Sequence, residues 1–140
     1  MLEVRDLHVH YGSIRAVKGI SLEVKEREVV ALIGANGAGK TTLLNSISGF
    51  LRPRQGTILF RGEEIQGLSP SAVVSRGIIQ VPEGRSILTR MTVMENLEMG
   101  AYLRPNGAEV RKDLERILER FPRLNERKHQ LGGTLSGGEQ

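Results

Sequence analysis

Cysteine and tryptophan are both missing from the 140 residues. Without cysteine there is no disulfide, no thiolate zinc site and no cysteine nucleophile, and a reducing compartment fits. Aromatic residues make up only 4%, so a core has to be built from Leu, Ile, Val, Ala and Met. Long apolar runs are missing too. The longest unbroken aliphatic run is Val29-Val30-Ala31-Leu32-Ile33, far short of the ~20 residues of a spanning helix. The start, Met1-Leu2-Glu3-Val4-Arg5, lacks the apolar stretch of a signal peptide. Any membrane role is therefore expected to run through a partner. Nor is the charge of one sign: 20 Lys and Arg are interspersed with 16 Asp and Glu, as in Glu26-Arg27-Glu28 and across 109–120. The net +4 reads as a solvated mixed surface, and no nucleic-acid partner is expected.

What is present has the length of one domain. Leu2, Val4, Leu7 and Val9 are spaced for a half-buried strand with one irregularity. Ile20, Leu22 and Val24 alternate with polar residues for a second strand. The run 29–33 does not alternate, which predicts a strand covered on both faces. Lys40 to Ser48 follows as a helix with Leu43, Leu44 and Ile47 on one face, and Gly49 as its stop. Pro53-Arg54-Gln55-Gly56 predicts a turn, Thr57 to Phe60 a strand, and Arg61-Gly62-Glu63-Glu64 a hairpin turn. Ser69-Pro70 reads as an N-cap with proline in the first helical position, opening a helix to Arg76. Ile78 to Val81 predicts a short strand. Thr92, with Glu95 three residues on, predicts a capped helix to about Leu103. Pro105-Asn106-Gly107 breaks it, and 108–121 carries Val110, Leu114, Ile117, Leu118 and Phe121 on one stripe before Pro122.

Gly34-Ala35-Asn36-Gly37-Ala38-Gly39-Lys40-Thr41 fits the pattern G-x-x-x-x-G-K-[ST]. Glycines let backbone N–H groups approach phosphate oxygens with no Cβ in the way. The helix that opens at Lys40 adds its orphan N–H groups and the positive end of its dipole. Lys40 is expected on the β- and γ-phosphates, the Thr41 hydroxyl on Mg²⁺, and the Thr42 hydroxyl near the α-phosphate. This loop by itself does not separate kinases, GTPases and transport ATPases. His8 and His10 share a strand face, but with no third ligand in sight they read as surface histidines. Met91, Met94 and Met99 read as packing.

The chain ends Leu135-Ser136-Gly137-Gly138-Glu139-Gln140. Together with the phosphate loop this resembles the ATP-binding cassette family, whose signature is LSGGQ or a close variant. The resemblance runs along the whole chain. It implies an α/β P-loop NTPase fold: an antiparallel β subdomain, a P-loop strand–helix core and a helical subdomain. Residues 1–79 would be the β subdomain and P-loop core, and 80–140 the Q-loop and helical subdomain. In that family two cassettes pair head to tail, and Ser136, Gly137 and Gly138 would face the γ-phosphate of the partner's ATP from a helix start. Tyr11 matches the aromatic that stacks on adenine. Gln80 matches the Q-loop glutamine, which contacts Mg²⁺ or the attacking water, and an uncharged amide that both donates and accepts suits that place. Lys40 and Gln80 are the catalytic candidates.

Val81-Pro82-Glu83-Gly84-Arg85 and Met91-Thr92-Val93-Met94-Glu95-Asn96-Leu97 resemble one branch, the ATP-binding proteins of branched-chain amino-acid uptake systems. The implied cofactors are ATP and Mg²⁺. The implied partners are a second cassette, integral membrane permease subunits and, indirectly, a periplasmic or extracellular substrate-binding protein. The implied place is the cytoplasmic face of the membrane, held peripherally. The family's Walker B carboxylates and switch histidine follow the signature and so are not among these residues, and a fold truncated there is expected to be inactive alone. Glu26-Arg27-Glu28 stands where the family commonly has a glycine, which touches a turn and not the site. Two other readings stay open on sequence: a soluble, non-transport cassette ATPase, and a non-catalytic nucleotide-binding fragment.

Overall fold

The computed structural model describes every residue except Arg85 and Asn106. The Arg85 end of the 81–85 stretch and the middle of the 105–107 break thus lie outside the described residues. The chain divides into two compact units, Met1–Gln80 and Val81–Gln140.

The first unit is built on an antiparallel sheet of four strands in the order β2-β1-β3-β4. Strand β1 is Leu2–Tyr11 and β2 is Ile14–Val24, paired from Leu2↔Val24 to Tyr11↔Ile14. The expected irregularity is a bulge: Asp6 has φ 44°, and the register shifts between Val4 and Leu7. It has a structural purpose. Strict alternation from Val4 would send Leu7 and Val9 to the solvent side. One extra residue returns both to the core, where they are buried beside Val4. Strand β3, Gln55–Phe60, lies on the other side of β1, and β4, Glu63–Glu64, folds back on it. The hairpin turn between them has positive φ at both Arg61 and Gly62, the type I′ geometry whose twist matches the strands.

Helix α1, Lys40–Ile47, lays Leu43 and Ile47 onto this sheet, with Val4, Leu7, Val9, Val17, Ile58, Phe60 and Ile65. Leu44 lies about 100° further round the helix and is exposed. The helix stops in a Schellman arrangement: Phe50 N–H donates to Asn45 O and Gly49 N–H to Ser46 O. Helix α2, Pro70–Ser75, starts as expected, with Ser69 Oγ accepting from Ala72 N–H at 3.3 Å.

Residues 29–33 differ from expectation. They form no ladder, and Val29 and Ile33 are 97% and 91% exposed. A parallel strand takes all its hydrogen bonds from neighbouring strands, and none of the described strands pairs with this run. Its β-favouring residues are not enough alone. The same holds for 78–81, which are likewise outside any ladder, with Ile79 and Val81 exposed.

The second unit contains α3 (Val93–Gly100), α4 (Gly107–Arg120), α5 (Pro122–Glu126) and a single 3₁₀ turn, Gly132–Thr134. Thr92 and Glu95 form the expected capping box. The next orphan donors of α3 are also satisfied, Val93 N–H by Gln130 O and Met94 N–H by Lys128 O. Helix α3 ends at Gly100, short of Leu103, because glycine favours leaving the helix. On α4 the stripe is only partly covered: Leu114 and Leu118 are buried, while Phe121 is exposed. Pro122 is not simply the stop of α4. It is also the first residue of α5, where its missing N–H is no loss.

Candidate nucleotide-binding site

The loop 34–39 runs into α1, and its glycines do two different jobs. Gly37 has φ 83° and open space where a Cβ would stand, so its backbone is free to meet a ligand. Gly39 has φ 93°, and a Cβ there would lie 2.6 Å from Ala16 O on β2. The end of the loop is thus pressed against β2 at a distance only glycine allows. Lys40 folds back over the loop, donating from Nζ to Gly34 O and Ala35 O, both at 2.8 Å. Helix α1 has no side-chain cap and no acidic residue in its first turn. Its orphan N–H groups are therefore left for an anion. Asn36, Ala38 and Thr41 are exposed along this edge, whereas Thr42 faces inward and is buried.

A depression of about 410 Å³ joins this loop to β2. It is lined by residues 14–18 and Ile20 on one side and by Gly37 and Ala38 on the other. Tyr11 pairs with Ile14 across the hairpin at the rim and is 48% exposed. The turn that follows Tyr11 is pinned from outside the hairpin: Arg54 donates from Nη2 to Gly12 O at 3.2 Å. Nothing in the sequence marks Arg54 for this, since the contact spans 42 residues. Next to it His10 titrates below the ordinary histidine range, first through desolvation and then through Arg54 and Arg15.

Gln80 lies against α1. Its Nε2 donates to Asn45 Oδ1 at 3.1 Å, while its Oε1 is buried with no hydrogen-bond partner. Asn45 is one helical turn beyond Thr41, on the same face. A lone buried oxygen is costly unless something fills its lone pairs. A hard cation or its bound water is a natural partner, and so the donor set of Thr41 hydroxyl and Gln80 amide oxygen fits Mg²⁺.

In the second unit, Ser136 opens a tight turn. Glu139 N–H and Gln140 N–H both donate to Ser136 O, at 3.0 and 3.2 Å. The Glu139 carboxylate reaches back, accepting from Ser136 N–H at 2.9 Å and from Ser136 Oγ at 2.7 Å. Arg127 Nη1 lies 3.3 Å from the same carboxylate. The Ser136 hydroxyl and backbone, with Arg127 and Arg123, hold the Glu139 carboxyl below the usual carboxylate range. A Cβ on Gly138 would meet nothing within 4 Å, so that side of the turn is open. The Ser136 N–H and hydroxyl, by contrast, are engaged by Glu139.

Part of the 91–97 motif is explained locally. Glu95 completes the cap of α3. Asn96 ties down the preceding loop, donating to Leu88 O, Met91 O and Thr92 O and accepting from Leu88 N–H. Both side chains are committed to holding the helix start.

A family model described as "ABC transporter" matches residues 17–140. Among curated proteins, the chain is 45% identical over 140 residues to the high-affinity branched-chain amino acid transport ATP-binding protein BraG of Pseudomonas aeruginosa, covering all of this chain and 60% of that one. It is 33% identical over 140 residues to the probable branched-chain amino acid transport ATP-binding protein LivF of Archaeoglobus fulgidus, covering all of this chain and 59% of that one. Among solved structures, the ADP conformation of MJ1267, an ATP-binding cassette of an ABC transporter, superposes with a TM-score of 0.80 at 29% identity, covering 99% of this chain and 60% of that one. The dimeric structure of MJ0796, a bacterial ABC transporter cassette, gives 0.81 at 25% identity, covering 99% and 65%. The chain thus spans about 60% of the length of the two curated relatives.

Proposed function

The chain belongs to the ABC transporter family, and from that premise we propose that it is the Mg-ATP-binding portion of an importer's ATPase subunit. The observation that carries this is the loop 34–39 with Lys40 folded over it at the uncapped start of α1. Lys40 Nζ is held by two neutral carbonyls. Phosphate oxygens offer it charge-assisted bonds, which are roughly twice as strong. Lys40 would therefore exchange Gly34 O and Ala35 O for the β- and γ-phosphates, and the first-turn N–H groups of α1 would hold the remaining oxygens. Tyr11 would stack on the base. Thr41 and Gln80 would hold Mg²⁺, which when bound neutralises phosphate charge. Ser136, Gly137 and Gly138 would serve a second cassette's ATP. Similarity to cassettes whose names specify branched-chain amino acids supports that substrate class. Among the described residues no helix is long and apolar enough to cross a membrane. The reading assigns the transport path to permease subunits, with the cassette held at the cytoplasmic face.

Nucleotide binding is tested with Lys40→Ala. Affinity for Mg-ATP should fall at least about tenfold, the scale of one lost charge-assisted contact. Equal affinity would remove Lys40 from the site. The substrate is tested by uptake of labelled leucine in a strain lacking the gene. Normal leucine uptake, with loss of an unrelated solute, would overturn the substrate class and leave the cassette standing.

A further inference from the structure

We infer that Asn45 is a positioning residue for Gln80: it fixes which end of the Gln80 amide is free to meet Mg²⁺ or its water. The inference rests on the nucleotide reading of the site and adds a residue to it. Gln80 follows a segment that belongs to no ladder, so backbone pairing does not orient its side chain. An amide in that situation has two rotamers of similar shape, one presenting oxygen and the other nitrogen. Only the oxygen suits a cation. In this structure the choice is made by the hydrogen bond from Gln80 Nε2 to Asn45 Oδ1, across 35 residues of sequence. That bond engages the nitrogen end. The oxygen is left buried and unpartnered, an arrangement that is unfavourable alone and is relieved by a ligand.

Asn45 is well suited to act as the fixed point. It lies inside α1, four residues after Thr41, so it shares a rigid frame with the Thr41 hydroxyl. Its own backbone carbonyl is anchored by Phe50 N–H at 2.9 Å and Leu51 N–H at 3.2 Å. Any movement of α1 on phosphate binding would therefore carry Asn45, and with it Gln80.

The experiment measures ATP affinity with Mg²⁺ and with EDTA, for the wild type and for Asn45→Ala, Asn45→Asp, Gln80→Ala and Asn45→Ala/Gln80→Ala. It also records the Gln80 side-chain amide protons by NMR without nucleotide. Asn45→Ala should reduce the Mg²⁺-dependent gain in affinity roughly three- to tenfold, the range for one net hydrogen bond, and leave the EDTA affinity unchanged. Asn45→Asp keeps an acceptor in the same place and should retain the gain. The double variant should lose no more than Gln80→Ala. The Gln80 amide protons should be slow to exchange in the wild type and fast in Asn45→Ala. A full Mg²⁺ gain in Asn45→Ala, additive losses in the double variant, or an equal loss in EDTA would each overturn the role. No ATP binding by the wild type under either condition would overturn the nucleotide reading itself, a distinct failure.

Discussion

Gly39 shows how much of the site depends on single atoms that are missing. The loop can meet α1 at this angle only because no Cβ stands 2.6 Å from Ala16 O. Gly37 has a similar φ of 83° but faces open space. The two glycines therefore separate folding from binding. Gly39→Ala combines left-handed strain with a backbone clash and should lower unfolding free energy by about 1–3 kcal/mol. Gly37→Ala carries only the strain, about 1 kcal/mol, and should act mainly on nucleotide affinity. Urea unfolding at constant m-value checks this, and equal midpoints for the two variants would refute it. His10 adds a pH dependence of known sign. Its folded pKa is depressed, by desolvation and by Arg54 and Arg15. The folded state thus binds fewer protons than the unfolded one, and stability should fall as pH drops through the ordinary histidine range. Replacing His10 with Gln should flatten that slope, measured as the thermal midpoint from pH 8 to pH 5.5. An unchanged slope would assign the dependence to other groups.

The helix starts were the most legible elements, because a cap is written in four consecutive residues. Thr92 with Glu95, and Ser69 with Pro70, form the contacts their spacing predicts. The Arg61-Gly62 turn does so too. Elements whose partners are distant in sequence were less legible. The first half of β2 has no alternation and exists because β1 pairs with it. Helix α5 was missed because Pro122 signals both an end and a beginning. The α3 cap makes a quantitative claim. Thr92→Ala should cost about 0.5–2 kcal/mol. Glu95 titrates below the usual carboxylate range because the Thr92 backbone N–H and hydroxyl donate to it. Its contribution is therefore present above the ordinary carboxylate pKa and lost as pH falls through the lowered one. Glu95→Gln should destabilise at pH 7, and the difference from wild type should vanish near pH 2. A difference that persists in acid would mean that the carboxylate charge is not what caps α3.

At the scale of the whole molecule, the placement of the phosphate loop at the start of α1 was legible and its surroundings were not. The phosphate loop is a short pattern whose residue types follow from what they would touch, whereas Tyr11 and the facing role of the signature turn rest on the family resemblance. Asn45 and Arg54 carry no such mark, since each side chain meets a group 35 or 42 residues away, the Gln80 amide and the Gly12 carbonyl. The run 29–33 departs from its expected strand for the complementary reason: its composition favours a strand, but a strand also needs neighbours, and none of the described strands pairs with it. The consequence is physical. Val29 and Ile33 are almost fully exposed, in a run whose backbone groups join no ladder among the described residues, and a β-favouring run left so is a template for another strand. In the 140-residue chain, amides of 29–33 should exchange far faster than those of β1 and β3. Light scattering should show association that grows with concentration and is reduced by Val29→Lys. ATP turnover should be negligible beside that of a longer cassette of the BraG type, because the signature turn and the phosphate loop place only part of the charge that phosphoryl transfer requires. Steady-state phosphate release, with Lys40→Ala as the contamination control, checks the last point. Turnover at a rate like that of the longer cassette, abolished by Lys40→Ala, would mean that residues 1–140 contain the whole catalytic set. Slow exchange at 29–33 in a monomer would mean that this run finds its partners within the same chain.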